Sequence, residues 1–171
     1  AVVVLQGCVL TNNQYTGNAF GGAGAAFCQV GGVLAATNCL FADNKLAFKE
    51  HLLYGGGAGY VGGNASASLR NCVFANNAAA AGNYGATPGG ALALEVSGGG
   101  TVEVAACTFT ANAAGGPGGA LHVASGVLDL RNSILWANTA SNGYEILLTN
   151  AASTGTVAYC DLTGSNAPQA V

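Results

Sequence analysis

One seven-residue motif, written six times, constrains this chain more than any other feature. It reads Gly7-Cys8-Val9-Leu10-Thr11-Asn12-Asn13, Asn38-Cys39-Leu40-Phe41-Ala42-Asp43-Asn44 and Asn71-Cys72-Val73-Phe74-Ala75-Asn76-Asn77. It continues as Ala106-Cys107-Thr108-Phe109-Thr110-Ala111-Asn112 and Asn132-Ser133-Ile134-Leu135-Trp136-Ala137-Asn138, then decays into Tyr159-Cys160-Asp161-Leu162-Thr163-Gly164. From cysteine to cysteine, with Ser133 standing in for one, the spacings are 31, 33, 35, 26 and 27 residues. A fixed motif at such a period is the signature of a solenoid, in which each repeat buries its apolar face only against its neighbours.

Two further segments recur between the copies. One is Gly-Gly-Ala, at Gly21-Gly22-Ala23, Gly56-Gly57-Ala58, Gly89-Gly90-Ala91 and Gly118-Gly119-Ala120. The other is an alternating stretch leading into the cysteine, clearest at Thr101-Val102-Glu103-Val104-Ala105 and Val127-Leu128-Asp129-Leu130-Arg131. The period is two, the breakers are Gly and Asn, and helix caps and 3.6-residue periodicity are missing. The chain therefore reads as all-β: a right-handed parallel β-helix with three short strands per coil and about six coils, one domain over residues 1–171. The Gly-Gly-Ala segment is expected to be one of the three strands. Val3 and Leu5 already hold core positions, and the stretch from Asp161 to Val171 is short for a cap. The expectation is a segment of a longer solenoid, or a chain whose neighbour covers its first coil.

Alternation along the strands assigns the faces. Leu10, Phe41, Phe74, Phe109, Leu135 and Leu162, with the cysteines, point inward; Val9, Leu40, Val73, Thr108, Ile134 and Asp161 form a column that tolerates Thr and Asp and so points outward. Phe41, Phe74 and Phe109 are expected to stack as a buried aromatic column. Asn13, Asn44, Asn77, Asn112 and Asn138 are expected to form an asparagine ladder at one corner, with ligand binding along the row as the functional alternative.

The motif Asn-Cys-x-Phe-x-x-Asn followed by Gly-Gly-Ala resembles the repeat of the chlamydial polymorphic outer-membrane proteins. Asn132 to Asn138, with Thr156-Val157-Ala158-Tyr159 behind it, resembles the closing coils of bacterial secreted and anchored β-helix surface proteins. The resemblance implies an extracellular or cell-surface location and a structural or adhesive scaffold presenting corner loops. Ser133 departs from the cysteine pattern, and the last copy has lost its asparagine.

Charge narrows the function classes. Only 4 Lys+Arg and a net charge of −3 exclude a basic nucleic-acid binder. At 6% charged residues, mostly apolar otherwise, the chain is unlike a disordered one. No apolar run reaches the roughly 18 residues of a membrane span.

The few charges can each be placed. Glu103 and Asp129 lie four before their cysteine or serine, so they stack on adjacent coils; Arg70 and Arg131 lie two before theirs, in the next outward column. This quartet has two readings. One is a salt-bridge network on a strand face. The other is a polysaccharide-active site of the pectate-lyase type or a carbohydrate-binding module, since such enzymes work from the outer face of a β-helix with paired acids and basic residues. An ice-binding role is disfavoured because no Thr-x-Thr face repeats.

Six cysteines suggest disulfides in a surface protein. Only Cys8–Cys39, Cys39–Cys72 or Cys72–Cys107 are stacked neighbours. Cys107 and Cys160 lie two coils, about 9.6 Å, apart, and Cys28 sits in another strand. The favoured reading is cysteine as a small buried hydrophobe. No C-x-x-C pair or nearby histidine points to zinc, and no cofactor is expected.

Four other features stand out. His122 is expected on a solvated outward column with Ala25, Tyr60 and Ala93. His51 lies far from it. The insertion from Lys45 to Tyr54 concentrates charge and bulk in a corner loop, either folded over its own coil or facing a partner. Asn64-Ala65-Ser66 is the one N-x-[ST] sequon, expected at an exposed corner between two strands and usable only in a eukaryotic secretory route. Expected partners are other protein chains or further coils at the ends, with carbohydrate as a further candidate.

Overall fold

In the computed structural model, residues 1–16, 22–47, 54–80, 87–149 and 153–163 are described. The strand segments form parallel ladders in which each coil pairs with the next. The chain is a parallel β-helix, all-β among the described residues.

The broadest face is an eight-stranded sheet. It holds Val2–Gln6, Phe27–Thr37, Gly59–Arg70, the pair Leu92–Val96 and Thr101–Ala105, Leu121–Arg131, and the pair Ile146–Leu148 and Ser153–Ala158. The motif strands make the second face: Val9–Thr11, Leu40–Ala42, Val73–Ala75, Thr108–Thr110, Ile134–Trp136 and Asp161–Leu162. A third face follows the asparagines, with Gln14–Tyr15, Lys45–Ala47, Ala78–Ala80 and Ala113–Ala114.

Two corners of the coil are single residues in the left-handed region. The residue before each cysteine or Ser133 has φ between 50° and 59°: Gly7, Asn38, Asn71, Ala106, Asn132 and Tyr159. The residue before each asparagine of the ladder does the same, at Asn12, Asp43, Asn76, Ala111 and Ala137. Asn, Asp and Gly take this conformation at low cost, which explains their place in the motif. A single left-handed residue turns the chain without a loop, so neighbouring copies stay in register.

The core runs along the coil axis. Phe41, Phe74 and Phe109 are fully buried, with centroids 4.7 Å apart at each step and planes within 7° and 2°. Leu34, Ala67, Val102 and Leu128 form a second buried column, and Ala36, Leu69, Val104 and Leu130 a third. Repeated identity is what lets the rings stack: each rung offers its neighbour the same side chain at the same height.

Two expectations need correction. The solenoid makes about four turns rather than six. Six rungs exist on the motif face, but the third face has four, and the fifth copy keeps only the isolated bridge between Ala113 and Thr139 there. Gly-Gly-Ala is also not a full strand. Gly24 and Gly56 end a two-stranded ladder, and at Gly89-Gly90-Ala91 and Gly118-Gly119-Ala120 the segment is a corner. A side chain on Gly57 would run into the backbone of Gly90 and Ala78, and one on Gly90 into Gly119 and Ala113. Stacked glycines there permit backbone contact between coils, and the expected third strand is instead the short run after each asparagine.

In three coils the alternating stretch and the residues after Gly-Gly-Ala merge into one long strand bent at glycines, while after Gly89-Gly90-Ala91 they stay two strands. Gly31, Gly32, Gly63 and Gly126 have positive φ at these bends, and the register shifts between Val30 and Gly32 and between Leu94 and Glu95.

Candidate functional site

The charged quartet lies on the outward side of the broad sheet. Glu103 pairs in register with Ser68 on one side and Asp129 on the other, and Ala105 separates Arg70 from Arg131 in the next column. Arg70 Nη2 reaches Glu103 Oε1 at 2.5 Å, and Arg131 Nε reaches Asp129 Oδ1 at 2.6 Å. Ser68 joins the first pair: its hydroxyl donates to Glu103 Oε2 at 3.4 Å and accepts from Arg70 Nε at 3.3 Å. Asp129, and Glu103 more weakly, raise the pKa of the Arg131 guanidinium.

Each carboxylate thus faces an arginine, so the quartet is charge-compensated within itself. A general acid needs a carboxyl kept protonated at working pH, and a calcium ligand set needs several oxygens converging on one point. Both carboxylates here are spent on guanidiniums across a sheet face. A recess of ≈ 300 Å³ opens at the strand bends, among Val96, Ser97, Gly98, Ser125, Gly126 and Val127, and none of these is charged. Among the described residues no three His, Cys, Asp or Glu side chains are grouped to hold a metal.

The asparagine ladder is continuous. Asn13 Nδ2 donates to Asn44 Oδ1 at 2.8 Å, Asn44 to Asn77 at 2.9 Å, Asn77 to Asn112 at 2.9 Å and Asn112 to Asn138 at 2.8 Å. Asn44, Asn77, Asn112 and Asn138 each donate a second amide hydrogen back to a carbonyl of the coil before, that of Leu10, Phe41, Phe74 and Phe109 respectively. With Asn44, Asn77 and Asn112 fully buried and every amide group engaged, the row has no free polar edge to offer a ligand.

None of the six cysteines is joined in a disulfide. The five motif cysteines each donate back to the carbonyl two residues earlier, as Cys39 does to Thr37, Cys72 to Arg70 and Cys107 to Ala105, at 3.3 Å each. Ser133 repeats the bond to Arg131 at 2.8 Å, which is why serine fits the column. Contact with Cys72, and then burial, push the Cys107 thiol well up, so it stays protonated. Cys28 is exposed and off the column.

His122 contradicts its expected place. Its column is Cys28, Tyr60, Ala93, His122 and Leu147, not Ala25, and the imidazole is 5% exposed. Its Nδ1 has no hydrogen-bond partner, and burial lowers its pKa to about 4. His122 is a buried, neutral histidine on the outer side of the sheet. His51 and residues 48–53 of the Lys45–Tyr54 insertion lie outside the described residues, as do 164–171.

Asn64 is exposed, but within the continuous strand Gly59–Arg70 rather than between two strands. Its Oδ1 accepts a bond from Ser97 Oγ at 3.2 Å.

Two polar pairs were missed from sequence. Tyr60 donates its hydroxyl to Glu95 Oε2 at 2.7 Å, one rung apart. Glu145, fully inside at 2% exposure, accepts from Asn138 Nδ2 at 2.5 Å and from Thr163 Oγ1 at 2.8 Å. The signal for Glu145 was the asparagine missing from the sixth copy, which leaves Asn138 in need of another acceptor.

No family model, curated protein or solved structure matches this chain.

Proposed function

We propose that this chain is a structural or adhesive scaffold of the cell surface or extracellular space, holding its corner loops out to partner chains or to carbohydrate. The observation that carries the reading is the self-compensation of Glu103, Asp129, Arg70 and Arg131 on the outer sheet. A site for acid–base chemistry would hold a carboxylate apart from its counter-charge, whereas these four are matched two to two. The polar and aromatic ladders serve the same end, since fully satisfied columns make a stiff rod on which loops keep fixed positions. The proposed location rests on the resemblance read from the motif alone, Asn-Cys-x-Phe-x-x-Asn followed by Gly-Gly-Ala.

The rival, a polysaccharide-active enzyme, draws on one fact: two carboxylates stand on adjacent rungs. A panel of acidic and neutral polysaccharides, assayed for new chain ends, separates the readings. The scaffold predicts no cleavage by the wild type, and intact source cells labelled by an antibody to the chain. Depolymerisation that disappears in the Glu103→Gln/Asp129→Asn double variant would overturn it.

A further inference from the structure

We propose that Glu145 is a latch: a buried carboxylate that ends the asparagine ladder and ties the coil of Ser153–Ala158 and Asp161–Leu162 to the coils before it. From Asn44 on, the side-chain oxygen of each asparagine accepts from the preceding coil, and from Asn13 to Asn112 one amide hydrogen goes to the following one. The row is therefore directional, a line of amide dipoles with its donor end toward the later coils. At Asn138 that donor end would be left bare, because the sixth copy has no asparagine. Glu145 Oε2 takes the hydrogen that a sixth Oδ1 would take. An anion is the fitting terminus for such a row, as a carboxylate is at the amide end of a helix.

The other carboxylate oxygen holds the next coil. Thr163 Oγ1 donates to Glu145 Oε1 at 2.8 Å and accepts the backbone N–H of Ala137 at 2.9 Å. In the earlier copies the equivalent N–H goes to a backbone carbonyl, as Asn76 does to Thr110 and Ala111 to Trp136. Here a hydroxyl has replaced the carbonyl, and that hydroxyl is oriented by Glu145. The backbone of Glu145 is fixed independently: its carbonyl accepts from Ala120 and Leu121 at 3.1 Å and 3.0 Å. One residue thus joins three successive coils, adding a side-chain tie through Thr163 to the backbone ladders that already pair the last of them with the coil before.

The test is hydrogen exchange of backbone amides, resolved by residue, in the full chain and its variants. Glu145→Ala should speed exchange in 153–163 by roughly ten- to a hundredfold while the amides of 40–42 and 73–75 keep their protection. Glu145→Gln, which keeps an acceptor for Asn138 without the charge, should fall between it and the wild type. Thr163→Val removes one arm only, so it remains informative if Glu145→Ala fails to fold, and it should loosen the same segment by a smaller factor. Unchanged exchange in 153–163 for Glu145→Ala, or for Thr163→Val where the alanine variant does not fold, overturns the latch. So does a loss of protection spread evenly over all coils, which would mark Glu145 as an ordinary core residue.

Discussion

Asn77 spends its whole side chain on its two neighbours in the stack. Its Oδ1 accepts from the backbone N–H and the Nδ2 of Asn44, and its Nδ2 donates to the Phe41 carbonyl and to Asn112 Oδ1. Asn76, one residue earlier, is exposed and only turns the corner. Asn77→Ala leaves at least three buried groups unpaired and should cost about 3–5 kcal/mol. Asn76→Gly should change stability by less than about 0.5 kcal/mol, because glycine takes the same φ. Urea unfolding of the two variants checks the contrast, and equal costs would mean that the ladder does not bind the coils together.

The outer corner can be improved. Asn71 donates to Asn38 across one rung at 2.7 Å, but Ala106 interrupts the row before Asn132 and holds φ at 54° without a side chain suited to it. Ala106→Asn relieves the left-handed strain and extends the row. It should raise stability by about 1 kcal/mol, seen as a higher Tm. A lower Tm would show that this corner is set by contacts other than its backbone angle.

His122 makes stability depend on pH. In the unfolded chain its imidazole takes up a proton near the usual 6.5, and in the fold only near 4. Between those values the unfolded state binds more protons, so stability falls as pH drops through the window, by up to about 3 kcal/mol. His122→Gln removes this contribution while carboxylate titrations remain. The gap between wild type and variant should therefore shift in the variant's favour from pH 6.5 down to about 4. A gap that stays constant over that range would contradict the burial of the neutral ring.

The columns that repeat one side-chain type are legible in the sequence; the glycine corner, although it repeats, and the features that occur once are not. The Phe41–Phe74–Phe109 column follows from parity plus identity, and Glu103 lies beside Asp129 because both stand four before the same motif position. Parity misplaces His122 because it gives the side of a sheet and not what covers that side. The glycine corner reads as a strand because small residues suit both; only contact between coils distinguishes them. Glu145 acts through Asn138 and Thr163, 7 and 18 residues away, and no local pattern links the three.

The account rests on the alternation that sends Phe74 inward and Val73 outward, and these two adjacent residues give its most direct test. Phe74 is fully buried between two stacked rings, while Val73 is 38% exposed. Denaturant unfolding of Phe74→Ala should show a loss of about 3–5 kcal/mol, the burial of the ring plus the cavity it leaves. Val73→Lys should stay within about 1 kcal/mol of the wild type. If Val73→Lys is the damaging change and Phe74→Ala the mild one, the strand faces are reversed and the stacked core is not what holds this chain together.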